Sequence, residues 1–176
     1  QKLQLELAEL LDGADMNRAV IARIIRQWGE EAPARLRENP YAMVDEIRGV
    51  GFTTADRVAA QLGFDREGGP RIRAGIRHVL QEEACSSGHT CLPRETFLWK
   101  ATAILGVGSD LVDAEVPGLV HQNYLVDQEG SLSLKTLYEA ERLVAHKIRK
   151  LLQGAPPYGQ PDFKDLQEDQ QEALKK

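Results

Sequence analysis

Two glycines that flank one apolar residue, Gly49-Val50-Gly51, constrain this chain more than any other feature of its sequence. Glycine adopts positive φ angles and lets another backbone come close, so the pair predicts a tight turn between two helices, with positive φ at both glycines. An apolar run with helical spacing follows at once, with Ala55, Val58, Ala59 and Leu62 on one face.

The backbone amides of such a turn form a second predicted feature. If the next helix opens at Thr53 or Thr54 and Val50 plugs the core, the first free amides point outward together. They form a small positive nest that suits a phosphate oxygen, so the sequence predicts a nucleic-acid backbone site. The candidate contact residues are Arg48, Gly49, Val50, Gly51, Thr53, Thr54 and Arg57. The alternative is that the glycines only connect two helices.

The stretch from Ile47 to Ala59 resembles the helix-hairpin-helix motif of DNA repair and recombination proteins. Small Ala55 stands where the two helices of that motif approach closely. In the family, the glycine–apolar–glycine turn grips the phosphodiester backbone without reading base sequence, and the resemblance implies the same role for residues 49–51. This chain has Thr53 where the family often has Lys, which removes one positive charge from the expected contact.

Formal charge is distributed unevenly along the 176 residues. The net charge of −5 argues against a strong, free-standing nucleic-acid binder. Residues 16–81, however, hold 11 arginines against 8 acids, whereas residues 1–15 and 82–176 are both net acidic. The hairpin therefore lies in the basic part of an acidic chain, and arginine suits bidentate phosphate contact.

The composition, 42% apolar, suffices for one domain of ordinary size or two small ones. No apolar run of about 18 residues and no export signal is present, so we expect neither a membrane span nor secretion. Two cysteines, Cys85 and Cys91, are too few for a disulfide scaffold and fit a reducing cytoplasm. With His89 they offer three soft ligands where structural zinc needs four, so no metal is expected.

The pattern of apolar residues and glycines predicts a mainly α fold. Residues 1–66 are expected to form a helix-hairpin-helix domain, with the hairpin described above spanning residues 41–62. A weaker repeat of the same pattern suggests a degenerate first copy over residues 3–28, where Asp15 takes the place of the second glycine. A carboxylate there would repel phosphate, so this copy is expected to be structural. Asn17 is expected to cap its second helix.

Residues 70–152 are predicted to form a small α+β domain with the element order of a winged helix, including a β-hairpin turn at residues 127–130. Ser109 is expected to cap the second of its paired helices, which should be irregular near Pro117. This would-be recognition helix carries three acids and no Lys or Arg, which would repel a polyanion. We therefore expect a spacer or protein-contact role for this domain.

The amino-acid composition changes near the carboxyl end of the chain. Residues 153–161 are rich in Gly and Pro and are predicted to be a linker, and residues 162–176 are predicted to start a further domain. The chain also begins within a helical pattern and without Met. We therefore expect it to be part of a longer protein.

Motifs along nearly the whole chain resemble the amino-terminal region of the long, stand-alone RecD-like DNA helicases. They include Glu38-Asn39-Pro40-Tyr41, the stretch from Ile47 to Ala59, Gly88-His89-Thr90 and Tyr138-Glu139-Ala140-Glu141, and residues 166–174 are similar to the lead-in to the motor domain. The resemblance implies an ATP-dependent superfamily 1 helicase that moves 5′ to 3′ on single-stranded DNA in repair and recombination.

ATP and Mg²⁺ would belong to that motor domain, because the sequence contains no Gly-x-x-x-x-Gly-Lys-Ser/Thr phosphate loop. We expect no catalytic residue and no cofactor in these 176 residues. The expected partners are single-stranded or forked DNA, the motor domain, and a protein bound by the winged-helix-like domain.

Two functions stay open at this point. The first is a DNA-backbone-binding accessory region of a helicase, which the hairpin pattern and the local positive charge favour. The second is a structural or protein-interaction module without DNA contact of its own, which the overall acidity and Thr53 favour.

Overall fold

The computed structural model describes three stretches of the chain: residues 2–11, 16 and 18–153. The chain divides into two compact units, residues 1–138 and residues 139–176. Both predicted domains begin inside the first unit, and the boundary predicted near residues 66–70 stays a prediction. Four further predictions lie outside the described residues: the turn of the first hairpin copy (residues 12–15), the cap Asn17, the linker after residue 153 and the segment 162–176.

The first part of unit 1 is helical, and its helices end close to the predicted positions. They are α1 (Lys2–Leu11), α2 (Arg18–Trp28), a 3₁₀ turn (Gly29–Glu31), α3 (Ala32–Glu38), α4 (Ala42–Glu46) and α5 (Phe52–Gln61). α2 stops where Gly29 takes a φ of +57°. α3 stops at Asn39, which is extended because the proline that follows disfavours a helical residue before it.

The second part adds a small antiparallel sheet to further helices. The elements are α6 (Gly69–Ser86), β1 (Cys91–Pro93), α7 (Arg94–Leu105), α8 (Ser109–His121), β2 (Leu125–Gln128) and β3 (Ser131–Leu134). The last helix, α9 (Lys135–Gln153), begins in unit 1, and its residues from 139 on belong to the second unit. The strand order is β1-β3-β2, with both pairs antiparallel. The predicted fold class is confirmed: the chain is mainly α, with paired helices followed by a small α+β part in winged-helix order.

The β-hairpin turn is shorter than predicted. Asp127 and Gln128 belong to β2, where they pair with residues of β3. Only Glu129 and Gly130 form the turn, with φ angles of +52° and +77°. A two-residue type I′ turn requires positive φ at both positions, and its twist matches that of the flanking strands.

Two predictions about α8 are wrong. Gly108, not Ser109, occupies the N-cap position, and no side chain there bonds to the helix. The helix also continues through Pro117. Proline removes only one helical hydrogen bond, and the buried neighbours Val116 and Leu119 keep this segment packed as a helix.

The core of unit 1 is continuous from the first helix to the last strand. α6 lies at its centre and packs against α5, α7, α8, β1 and β3. Buried Gly75 faces α7, and a Cβ added there would collide with the side chain of Leu105. α6 and α7 therefore approach closely at Gly75.

α9 carries an apolar stripe that is not buried. Leu143, Val144, Ile148, Leu151 and Leu152 are each more than half exposed, and no residue of the helix is buried. Across the part of the chain that the structure describes, no helix combines the length and the apolar character that crossing a membrane would need.

Candidate nucleic-acid interface

The loop between α4 and α5 contains a type II β-turn with Gly49 at its third position. The N–H of Val50 donates to the carbonyl oxygen of Ile47 at 3.1 Å, and Gly49 has a φ of +83°. This turn type requires positive φ at that position, so the glycine is needed for the backbone itself. The side chain of Val50 is buried beneath the turn, as predicted. A ligand could therefore reach only the backbone of Val50.

Gly51 has a different conformation from the one predicted. Its φ and ψ are −98° and 174°, which is extended backbone, because Gly49 alone reverses the chain. Gly51 is the N-cap of α5, which begins at Phe52 rather than at Thr53 or Thr54. A Cβ added to Gly51 would meet no atom within 4 Å. Neither its backbone nor its packing within the described chain requires glycine at this position.

The first turn of α5 presents free amides beside this open glycine. The carbonyl oxygen of Gly51 accepts the N–H groups of Thr54 (3.2 Å) and Ala55 (3.1 Å). Within the described residues, the amides of Gly51, Phe52 and Thr53 donate to no acceptor. They lie at the positive end of the helix dipole, so the surface favours an anion.

The acidic residues of the hairpin are already paired with arginines. Each of the three carboxylates in residues 41–62 accepts from a guanidinium: Asp45 from Arg77 (2.6 Å), Glu46 from Arg35 (2.9 Å) and Asp56 from Arg71 (2.8 Å). These pairs reduce the negative potential that the acids would otherwise set against a phosphate.

The remaining candidate residues are placed around the turn with different exposures. The side chains of Arg48, Thr53 and Arg57 are exposed, and Thr54 is half-buried. Among the described residues Arg48 makes no hydrogen bond or ion pair, whereas Arg57 already has an interaction partner. Arg48 is therefore the predicted cation with the freest guanidinium at this turn.

Arg23 is a second cation at the turn, and sequence reasoning missed it. It belongs to α2, yet its Nη1 would lie 2.9 Å from a Cβ added to Gly49. The excess of arginines in residues 16–81 was a signal of positive charge near the hairpin. Nothing in the spacing of α2 indicated which arginine reaches it.

Arg71 fixes the position of α5 in the fold. Its Nε and Nη2 donate to the two carboxylate oxygens of Asp56 at 2.8 and 3.1 Å, and its Nη1 donates to the carbonyl oxygens of Arg66 and Leu105. The hydroxyl of Tyr41 also donates to Asp56, at 2.7 Å. One guanidinium thus joins the second hairpin helix to α6 and to the end of α7.

Tyr41 is shielded from ionisation by this environment. Burial, followed by the hydrogen bond to Asp56 and the charge of Asp56, raises the pKa of Tyr41 well above its ordinary value, and the positive charge of Arg71 opposes the shift. The neutral hydroxyl is the form that can donate. Its contribution to stability is full below the tyrosine pKa of the unfolded chain and is lost as pH rises through the higher pKa of the folded chain.

Three acids of α8 and β2 in the second part are also paired with arginines. Asp113 of α8 and Asp127 of β2 both accept from Arg94, and Glu115 accepts from Arg73 at 2.8 Å. These pairs partly neutralise the acidic surface that the sequence suggested. α8 itself carries no Lys or Arg, so it offers no cationic base-reading side chain.

The cysteines show no sign of a metal centre. Cys85 and Cys91 are both exposed free thiols. In the described ranges, no three or more His, Cys, Asp or Glu side chains are grouped so that they could hold a metal ion.

Two helices joined by a Gly-Val-Gly turn, with free amides at the start of the second, define a helix-hairpin-helix protein. Comparison with known families gives the same class. Residues 1–91 match the model of the ATP-dependent RecD2 DNA helicase HHH domain, and the chain belongs to that family.

A curated relative extends the similarity beyond this domain. The ATP-dependent RecD2 DNA helicase of Deinococcus radiodurans is 26% identical over 172 residues, which cover 90% of this chain. The match covers 24% of the relative, so the chain spans about a quarter of that protein's length.

Proposed function

We propose that this chain is a non-catalytic, DNA-binding accessory region of an ATP-dependent DNA helicase, and that it holds the phosphate backbone without reading base sequence. The observation that carries the proposal is the open surface at Gly51, where an added Cβ would meet nothing. A DNA strand on the turn gives a reason for glycine there, because a side chain would hold phosphates away from the amides of Phe52 and Thr53.

The charges around the turn support the same proposal. The hairpin acids are paired, while the exposed side chain of Arg48 has no partner among the described residues. The turn amides together with a few arginines would displace only about two to four counterions. Binding should therefore be weak, indifferent to base sequence and sensitive to salt.

The parent activity is part of the proposal. The name of the Deinococcus radiodurans relative states an ATP-dependent DNA helicase. We infer for the parent of this chain a motor domain that uses ATP and Mg²⁺, moves 5′ to 3′ and acts in cytoplasmic DNA repair and recombination. In that setting the hairpin would hold single-stranded or forked DNA next to the motor, and the winged-helix-like domain would contact a protein.

Gly51→Val is expected to weaken DNA binding by the 176-residue chain several-fold while costing less than about 1 kcal/mol of stability. Valine tolerates the extended backbone of residue 51, so the variant folds, but its side chain would stand between the strand and the amides. Fluorescence anisotropy with labelled single-stranded, duplex and forked DNA, at low and moderate salt, measures the effect.

Ala60→Val is the matched control for Gly51→Val, since Ala60 is exposed at the far end of α5. It should bind all three DNA forms as the unmodified chain does. If Gly51→Val binds as tightly as the control, the turn does not contact the backbone and the proposed function is wrong.

Thr53→Lys is expected to tighten DNA binding several-fold. Thr53 is exposed in the first turn of α5, and an ammonium there would gain a charge-assisted contact worth about 1 kcal/mol at low ionic strength. The dependence of log K on log salt should become steeper by about 0.7 to 0.9. Ala60→Lys adds the same charge two turns away, and equal effects of the two lysines would contradict a specific contact at Thr53.

The second candidate function is a protein-interaction module, and α9 is the observation that favours it. Its apolar stripe, residues 143–152, is exposed, and a stripe of this kind is typical of a helix that packs against another protein segment. The motor domain or a separate protein could occupy it. A chain that shows no salt-dependent DNA binding in the anisotropy experiment would leave this as the better function.

A further inference from the structure

Arg23 contacts the hairpin turn from a helix outside the hairpin. A Cβ added to Gly49 would lie 2.9 Å from Nη1, 3.4 Å from Nη2 and 3.5 Å from Cζ of Arg23. The end of the guanidinium group is therefore packed against the bare α-carbon of Gly49. Any larger residue at 49 would displace it, so the absence of a side chain makes this contact possible.

Among the residues that the structure describes, the end of the Arg23 side chain has no anionic partner. Nε donates to the carbonyl oxygen of Ala19 in the preceding turn of α2, at 3.2 Å. Neither Nη1 nor Nη2 donates to an acceptor within the described residues.

Other arginines of unit 1 that reach another element meet a carboxylate. They are Arg35, Arg37, Arg71, Arg73, Arg77 and Arg94. Arg23 is held against a different element, the hairpin turn, but has no carboxylate there. A cation fixed at a surface without its counter-charge suits an anion that comes from outside the chain.

We propose that the guanidinium of Arg23 binds the DNA phosphate backbone beside the turn amides, so that α2 and the hairpin form one composite site. The inference rests on the proposed function and extends it to a helix outside the hairpin. The planar guanidinium of Arg23 can hold a phosphate through two parallel hydrogen bonds, which the ammonium of a lysine cannot do. α2, in the predicted first hairpin copy, then contributes a DNA contact although that copy was expected to be structural.

The alternative role for Arg23 is to brace the turn. If Arg23 only stabilises the turn, its replacement would lower the melting temperature. Any loss of DNA binding would then follow from a loosened hairpin, and the dependence of binding on salt would not change. A phosphate contact would be measured in the number of counterions released. The two roles therefore differ in a quantity that binding experiments report directly.

The experiment compares Arg23→Gln with Arg26→Gln in the 176-residue chain. Arg26 is exposed on the same helix and makes no bond among the described residues, so its replacement removes the same charge without touching the turn. Anisotropy with a labelled single strand and a forked DNA is recorded at several salt concentrations, and thermal unfolding is followed by circular dichroism.

We expect Arg23→Gln to weaken binding several-fold more than Arg26→Gln and to reduce the salt slope by about 0.7 to 0.9, with equal melting temperatures in the two variants. Arg23→Lys should restore the slope but only part of the affinity. Equal binding by the two glutamine variants, or weaker binding with an unchanged slope and a lower melting temperature, overturns the role of Arg23.

DNA binding by the unmodified chain and by Gly51→Val distinguishes failure of the proposed Arg23 contact from failure of the proposed function. If the unmodified chain shows no salt-sensitive DNA binding, both proposals are wrong. If it binds and Gly51→Val weakens it, while Arg23→Gln behaves like Arg26→Gln, only the composite site is wrong and the hairpin keeps its function.

Discussion

Replacing Arg71 with Leu is expected to lower the free energy of unfolding by about 2 to 4 kcal/mol. The side chain of Arg71 is 11% exposed and that of Asp56 is 28% exposed. Loss of the guanidinium would leave the carboxylate with the Tyr41 hydroxyl and remove a donor from the carbonyl oxygens of Arg66 and Leu105. A fully buried pair would cost about 3 to 5 kcal/mol, and the partial exposure of Asp56 lowers the value.

Urea unfolding followed by circular dichroism measures this loss, with Arg66→Leu as control. Arg66 is exposed, and its replacement should change stability by no more than about 0.5 kcal/mol. The double variant Arg71→Leu, Asp56→Asn should be more stable than Arg71→Leu alone, because it removes the uncompensated charge. Equal stabilities of Arg71→Leu and Arg66→Leu would show that Arg71 does not clamp the helices.

The clamp has a consequence for the candidate site. Asp56 lies one helical turn after Phe52, whose amide is one of the free donors at the start of α5. The bonds of Arg71 therefore hold the helix that presents those amides against α6 and α7. The direction of the amides is set by contacts with the second part of unit 1 as well as by the turn.

The bounds of the helices were predictable because a helix end depends on residues that are adjacent in the sequence. Positive φ at Gly29, Gly63 and Gly106 ends helices, and the restriction before Pro40 acts on the adjacent residue only. Apolar spacing likewise predicted the buried faces of α2 and α6, whereas Ile104, on the predicted apolar face of α7, is half exposed. The mainly α fold with its small α+β part followed from these signals.

Contacts between distant residues were not predictable in the same way. Arg23 and Gly49 are 26 positions apart, and the bonds of Arg71 reach from Asp56 to Leu105. Arginine has a long side chain whose partners depend on the packing of helices, and sequence spacing does not encode that. The positive φ predicted at Gly51 was wrong for another reason. A glycine pair is compatible with several turn types, and the sequence does not specify which glycine takes positive φ.

The stripe of α9 shows a limit of periodicity. Apolar residues at helical spacing indicate a face that avoids water, and the helix forms as predicted. The pattern does not specify what covers that face, and residues 143–152 are exposed in this structure. The chain spans about a quarter of its relative's length. The protein-interaction function proposed as the second candidate depends on α9.

Gly49→Val is expected to lower the free energy of unfolding by about 2 to 3 kcal/mol. Its φ of +83° lies in the region that β-branched residues avoid, and the new side chain would also push the Arg23 guanidinium off the turn. Gly51→Val places the same residue two positions away, on extended backbone with open space around it, and should cost less than about 1 kcal/mol.

The two valine variants therefore separate the roles of the two glycines, one needed by the fold and the other by the ligand. Urea midpoints and DNA anisotropy on both chains measure stability and binding side by side. Gly49→Val should lose mainly stability, together with the part of DNA binding that depends on Arg23. Gly51→Val should lose mainly DNA binding. If both lose the same free energy of unfolding, the backbone requirement assigned to Gly49 is wrong.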